Sequence, residues 1–179
     1  MASKPALIGV AVVAAAGIAF GAWYGTRKAG PTAPTAKPMA DDVAPVVSDG
    51  LAVQFVARSA GGDRALADGA AMKAGEAIRI RARSREAGYL LIARIDRLGG
   101  SHLVYPAGRG GQAAPMKASP DLRDLGQDAP AAVGDEVFVS LLCSRPFVFG
   151  ALQDKLRPDA LTAPLLPGCA QTVQRVKGP

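Results

Sequence analysis

The chain has 179 residues, a length that suits about one domain, and its formal net charge is +6. One histidine and two cysteines are too few ligands for a His/Cys zinc centre, and an aromatic content of 5% leaves little to stack on bases. The charge favours anionic surfaces and sits mostly after residue 49, where 17 Lys/Arg stand against 12 Asp/Glu, a difference of five.

The first element is the apolar run ALIGVAVVAAAGIAFGAWY at residues 6–24, nineteen residues without a charge. At 1.5 Å per residue a helix here reaches about 28 Å, close to the ~30 Å hydrocarbon thickness of a bilayer. Ser3 suits the N-cap and Pro5 the first turn. Trp23 and Tyr24 fall at headgroup level, with Arg27 and Lys28 in the water beyond. These features predict a single-pass anchor within residues 1–28. The same residues also read as a cleaved signal peptide, with Ala19 and Gly21 as the small residues of an A-x-G site. Lys4 on one side balances Arg27, Lys28 and the more distant Lys37 on the other, so the positive-inside count leaves orientation open. Gly17, Gly21 and Gly25 recur every four residues, which makes a smooth groove for a second helix and points to a homodimer through this segment.

Residues 29–49 contain Pro31, Pro34, Pro38 and Pro45 and little that is large and apolar. Such a stretch predicts an extended, semi-stiff tether that reaches up to about 65 Å at ~3.1 Å per residue.

From Leu51 onward the pattern has period two. LAVQFVARS sends Leu51, Val53, Phe55 and Ala57 to one face, and IRIRARSR sends Ile78, Ile80, Ala82 and Ser84 to one face. GYLLIARID, SHLVYP, EVFVSLLCS and AQTVQRV continue the series, punctuated by glycine, proline and aspartate. Residues 50–179 therefore predict an all-β, antiparallel β-sandwich. One short helix is expected over residues 145–156, capped by Ser144, with Val148, Ala151, Leu152 and Leu156 on its apolar side. Residues 108–130 lack periodicity and predict a loop crossing between sheets, with room for a short edge strand.

Motifs of known chemistry are missing. The chain has no S-x-x-K, G-x-S-x-G, H-E-x-x-H or P-loop pattern. His102 alternates with Leu103 as a surface strand position. Asp96 and the Asp135-Glu136 pair read as turn chemistry at strand ends. GRGGQ at residues 108–112 has glycines that could wrap an anion, but no helix or Lys-Ser/Thr follows, so a flexible loop is expected. The expectation is a non-enzyme with no catalytic residues, no cofactor and no metal. Cys143 and Cys169 are compatible with a disulfide if the domain is exported; in the cytosol Cys143 would be a small core residue.

Four arginines at alternate positions, Arg79, Arg81, Arg83 and Arg85, form a comb on one strand face. Neighbouring teeth lie about 6.8 Å apart, near phosphate spacing in a polymer. The isoleucines between them explain the alternation through burial alone, so the plain reading is a solvent face, with Glu76 or Glu86 offsetting the charge. The functional reading is a grip on anionic lipid, an envelope polymer or an acidic protein partner. Nucleic acid is not expected, because no aromatic stands between the teeth.

The run AGEAIRIRARSREAGYLLIARIDRLGGSHLVYPAG resembles a bacterial domain of unknown function with a G-E…Y-L…D-x-x-G…Y-P pattern. Gly75-Glu76, Tyr89-Leu90, Asp96, Gly99 or Gly100, and Tyr105-Pro106 fit that pattern, while VGDEVFVSLLCSRPF and LLPGC resemble its membrane-tethered members. The resemblance covers residues 73–177. It implies a β-sandwich attached to a membrane anchor or signalling module, in some members beside extracytoplasmic sigma-factor systems, and it implies no catalytic residues. The chain carries no zinc-finger anti-sigma segment. Together these readings predict a non-catalytic domain in the cytoplasmic membrane, displayed on its periplasmic or outer side, that binds a protein partner or an envelope polymer as a signalling accessory; the alternatives are an envelope enzyme with an unrecognised site and a cytosol-facing membrane adaptor.

Overall fold

Apolar alternation and glycine-rich turns produce two β-sheets with one shared core. The computed structural model describes residues 43–129 and 134–179, which belong to one compact unit. The anchor, the Gly17/Gly21/Gly25 groove and the first part of the tether lie outside the described residues. Among the described residues no helix is long and apolar enough to cross a membrane.

The first sheet runs β1 (Val46–Ser48), β2 (Leu51–Ser59), β5 (Ala77–Ser84), β9 (Arg123–Ala129), and β3 (Gly62–Ala65) shares the free edge of β2 with β1. The second runs β4 (Ala70–Ala71), β11 (Ala170–Lys177), β10 (Glu136–Cys143), β6 (Gly88–Ile95), β7 (Ser101–Tyr105), and β8 (Ala114–Met116) also pairs with β6. Every pairing is antiparallel except β4 with β11, a parallel contact that the all-antiparallel expectation omits. The unperiodic stretch after residue 107 supplies an edge strand to each sheet, β8 to the second and β9 to the first.

The inner faces meet as the alternation predicts. Leu51, Val53, Phe55 and Ala57 of β2 and Ile78, Ile80 and Ala82 of β5 pack with Leu90 and Ile92 of β6 and Phe138 and Leu142 of β10. The rings of Phe55 and Phe138 sit 4.8 Å apart at 49°, a tilted aromatic pair across the two sheets. β2 departs from simple alternation, because its other face is buried as well. Val56 packs with Ala65 and Val43, and the Gln54 amide donates to the Val43 carbonyl at 2.9 Å. The segment entering the domain thus covers the outer face of β2. This corrects the tether: its last seven residues, 43–49, belong to the domain, and Val46–Ser48 pair with β2.

The expected helix over residues 145–156 is replaced by two 3₁₀ turns, Phe149–Ala151 and Gln153–Lys155, and a third, Pro158–Ala160, follows. The cause is β-type pairing that holds the start of the segment extended. Ala113 N–H donates to the Phe147 carbonyl at 3.0 Å, and Phe149 N–H donates to the Gly111 carbonyl at 2.7 Å. A helix begun at Ser144 would break both bonds, and Ser144 caps nothing. Val148, placed on the apolar side by helical spacing, faces solvent at 44% exposure, and Ala151 is exposed. Phe149, Leu152, Leu156, Leu161 and Leu165 instead lie on Leu91, Val139 and Leu141, the outer face of the second sheet. The cap makes a third layer with its own apolar core.

Candidate functional site

The arginine comb lies on the outer face of the first sheet, with the alternation of β5 complete: Ile78, Ile80 and Ala82 are fully buried, and Arg79, Arg81 and Arg83 between them are half-buried. Of the four arginines only Arg85 is exposed. A freely wet face is therefore not what these residues form.

The structure divides the comb into two halves. At one end Arg79 Nε contacts Asp124 and Asp128, both at 3.2 Å, and Arg58 contacts Asp128 at 3.2 Å. The hydrogen bond to Asp128, with the nearby charge of Asp124, raises the Arg79 pKa above its ordinary value against the opposing effect of desolvation. These two carboxylates come from β9, where Arg81 stands opposite Asp124 and Arg79 opposite Asp128 in the register. The register slips between Arg79 and Arg81, so that β9 advances four residues while β5 advances two. Gly126, at φ +69°, lies inside this bulge, a backbone state that suits glycine. Glu76, expected to offset the comb, instead pairs with Arg64 at 2.9 Å and accepts from Lys73 N–H, and Glu86 is exposed.

At the other end the partners change. Arg83 donates to the Pro120 carbonyl at 2.7 Å. Among the described residues no carboxylate pairs with Arg83 or Arg85. Both line a cavity of ≈ 450 Å³ together with Val47, Gly50, Ala52 and Pro120. The Asp49-Gly50 turn between β1 and β2 has positive φ at both residues, +44° and +83°, the hairpin geometry that Asp-Gly favours. A Cβ on Gly50 would stand 3.3 Å from the Arg85 Cβ, so this glycine lets the arginine stem lie across the turn.

The remaining candidate residues fall elsewhere. Cys143 and Cys169 form a disulfide at the base of the cap, one strand position beyond the Leu142–Ala170 pair, and no cysteine is free. A second cavity of ≈ 470 Å³ lies beside this bridge and is lined by Asp49 and Glu86. GRGGQ is a structured turn: Gly111 binds Phe149, and Gln112 N–H donates to the Arg109 carbonyl. Glu136 is no turn residue. It is buried in β10, with Arg94 at 3.4 Å.

His102 and Asp96 do form a His–carboxylate pair, at 3.1 Å, which sequence spacing did not bring out. The other Asp96 oxygen accepts from Leu98 N–H at 2.8 Å and Gly100 N–H at 2.9 Å, so the carboxylate caps the β6–β7 hairpin. Gly99 takes φ +82°, and a Cβ on Gly100 would meet Asp96 Oδ2 at 2.7 Å. The hydrogen bond from His102, followed by those from the turn, lowers the Asp96 pKa below its ordinary value. A carboxyl with a depressed folded pKa contributes stability that is present above its unfolded value and is lost as pH falls through the folded value. The hairpin is therefore expected to stay closed at neutral pH and to loosen only in acid, below the ordinary carboxylate range. Amide exchange at Leu98 and Gly100 checks this: the Asp96→Asn variant should show a weaker acid response, and an unchanged response would reject Asp96 as its source.

Among the described residues, no group of three or more His, Cys, Asp or Glu side chains is placed to hold a metal ion. No protein-family model, curated protein or solved structure matches the chain.

Proposed function

We propose that the chain is a non-catalytic binding domain of the bacterial cell envelope. In this reading residues 1–28 anchor it in the cytoplasmic membrane and a proline-rich tether carries the β-sandwich on the outer side. There it binds a protein partner or an anionic envelope polymer, as an accessory to signalling.

The observation that supports this most is the Cys143–Cys169 bridge. Such bonds persist in oxidising compartments and are rare where thiols are kept reduced. The bridge agrees with an uncharged run of nineteen residues ahead of the domain. Binding, as opposed to chemistry, is favoured by the comb: Arg79 and Arg83 are held by carboxylate and backbone partners, and no nucleophile–base pair accompanies them in the motifs of the chain.

The test is topology in living cells. A phosphatase that works only outside the cytoplasm, fused after Pro179, is expected to be active, and a reporter that fluoresces only in the cytoplasm is expected to be dark. The opposite pattern would place the domain inside and overturn the envelope reading.

A further inference from the structure

The split comb carries a more definite assignment. Arg79 is already neutralised by Asp124 and Asp128, whereas Arg83 and Arg85 open on a cavity with no carboxylate partner among the described residues. The other polar groups of that cavity are taken up by its own walls. The Ser84 hydroxyl donates to the Glu86 carbonyl, and the Ser119 hydroxyl donates to the Asp121 carbonyl while Ser119 N–H donates to Ser84. What remains for a ligand is guanidinium. A guanidinium has five N–H donors, and Arg83 gives one to Pro120. That bond holds the Arg83 side chain before any ligand arrives, which lowers the ordering cost of binding.

We propose that this cavity is a binding site for a phosphate ester, either in a lipid headgroup or free in water. Two guanidinium groups that line one cavity suit an anion with three or more oxygens, which they can share as charge-assisted forks. The ≈ 450 Å³ volume admits a phosphate with a body the size of glycerol. Val47, Ala52, Ala118 and Pro120 give that body apolar walls. Asp49 and Glu86 line the neighbouring cavity at the disulfide, which an anion would avoid. The assignment deepens the binding-domain reading and rests on it; it does not depend on which side of the membrane the domain occupies.

The experiment uses the full chain in maltoside micelles, which carry no phosphate, with glycerol phosphate titrated in by calorimetry. The wild type is expected to bind, and to bind more weakly as salt rises. Arg85→Gln, at an exposed side chain, should weaken binding about tenfold, and Arg83→Gln by at least as much. Arg79→Gln should leave affinity unchanged, because its charge is spent on Asp124 and Asp128. Nanodiscs of phosphatidylglycerol in place of the micelles separate the two sources. A lipid phosphate in the cavity would abolish the response to the soluble probe, whereas an unaltered response would assign the cavity to the free ester. Binding that survives the double Arg83→Gln/Arg85→Gln change, with an unchanged melting curve, would overturn the site. So would a wild type that does not bind glycerol phosphate in the maltoside micelles. Neither result touches the broader reading, which falls if the domain proves to lie inside the cytoplasm.

Discussion

Replacing Phe138 by alanine is expected to cost about 3–5 kcal/mol of folding stability, the largest effect of any single substitution considered for this chain. Phe138 sits in β10, the strand paired on both sides, with β11 and with β6. Its side chain is fully buried and meets Phe55 of the opposite sheet. Removing the ring therefore deletes contacts on which both sheets depend and leaves a cavity that a β-framework cannot collapse. Against a total stability of about 5–15 kcal/mol, such a loss would leave a marginal protein. Val139, the next residue, points to the cap instead and is a useful control. Val139→Ala removes less side chain from a smaller core and should cost about 1–2 kcal/mol. Urea unfolding of both variants gives the comparison. A Phe138→Ala loss no larger than that of Val139→Ala would show that the inter-sheet core is not the main source of stability.

The strands were legible because β5, β6 and β10 each write their burial into the sequence. Ile78, Ile80 and Ala82 alternate with arginines on β5, and on β6 and β10 both faces are apolar because one meets the first sheet and the other the cap. The cap itself was readable as an amphipathic segment but not as 3₁₀ turns. Leu152 and Leu156 are four apart and both buried, as a helix requires. What forbids the helix is pairing between Phe147–Phe149 and the glycine turn near Gly111, a contact across more than thirty residues that no local pattern contains.

The candidate site was legible by half. Alternation located the arginines but gave no hint of which ones would be neutralised. That depends on Asp124 and Asp128, in a stretch with no period-two signal, because β9 is an edge strand with a bulge at Gly126. Only the register shows that Arg79 is spent on carboxylates while Arg83 and Arg85 are not. Likewise the end of the tether looked solvated because valine and proline stood among small polar residues. Val43 and Val46 acquire a role only once Val56 and Gln54 are found on the outer face of β2.

Removing the disulfide, with Cys143 and Cys169 both changed to alanine, is expected to lower stability by about 3 kcal/mol and the melting temperature by roughly 10 °C. The first number follows from the closed loop: the two cysteines are 26 residues apart, and the bridge restricts that loop in the unfolded chain. The loop is also the cap. Its two ends are joined where β10 and β11 finish pairing, and between them lie the leucines that cover Leu91, Val139 and Leu141. Without the bridge the cap should detach before the sheets unfold, so protease sites within residues 144–168 should become accessible at temperatures where the strands remain intact. A dye that binds exposed apolar surface should report the uncovered sheet face over the same range. Wild-type protein treated with reductant is expected to match the double variant in both measurements. Chain folded in a reducing cytosol should match it too, and this connects stability to location. A protein that relies on this bond to keep its third layer closed works best where the bond forms and persists. If the reduced and oxidised chains melt together, the bridge contributes nothing to the fold, and its weight as support for an envelope location goes with it.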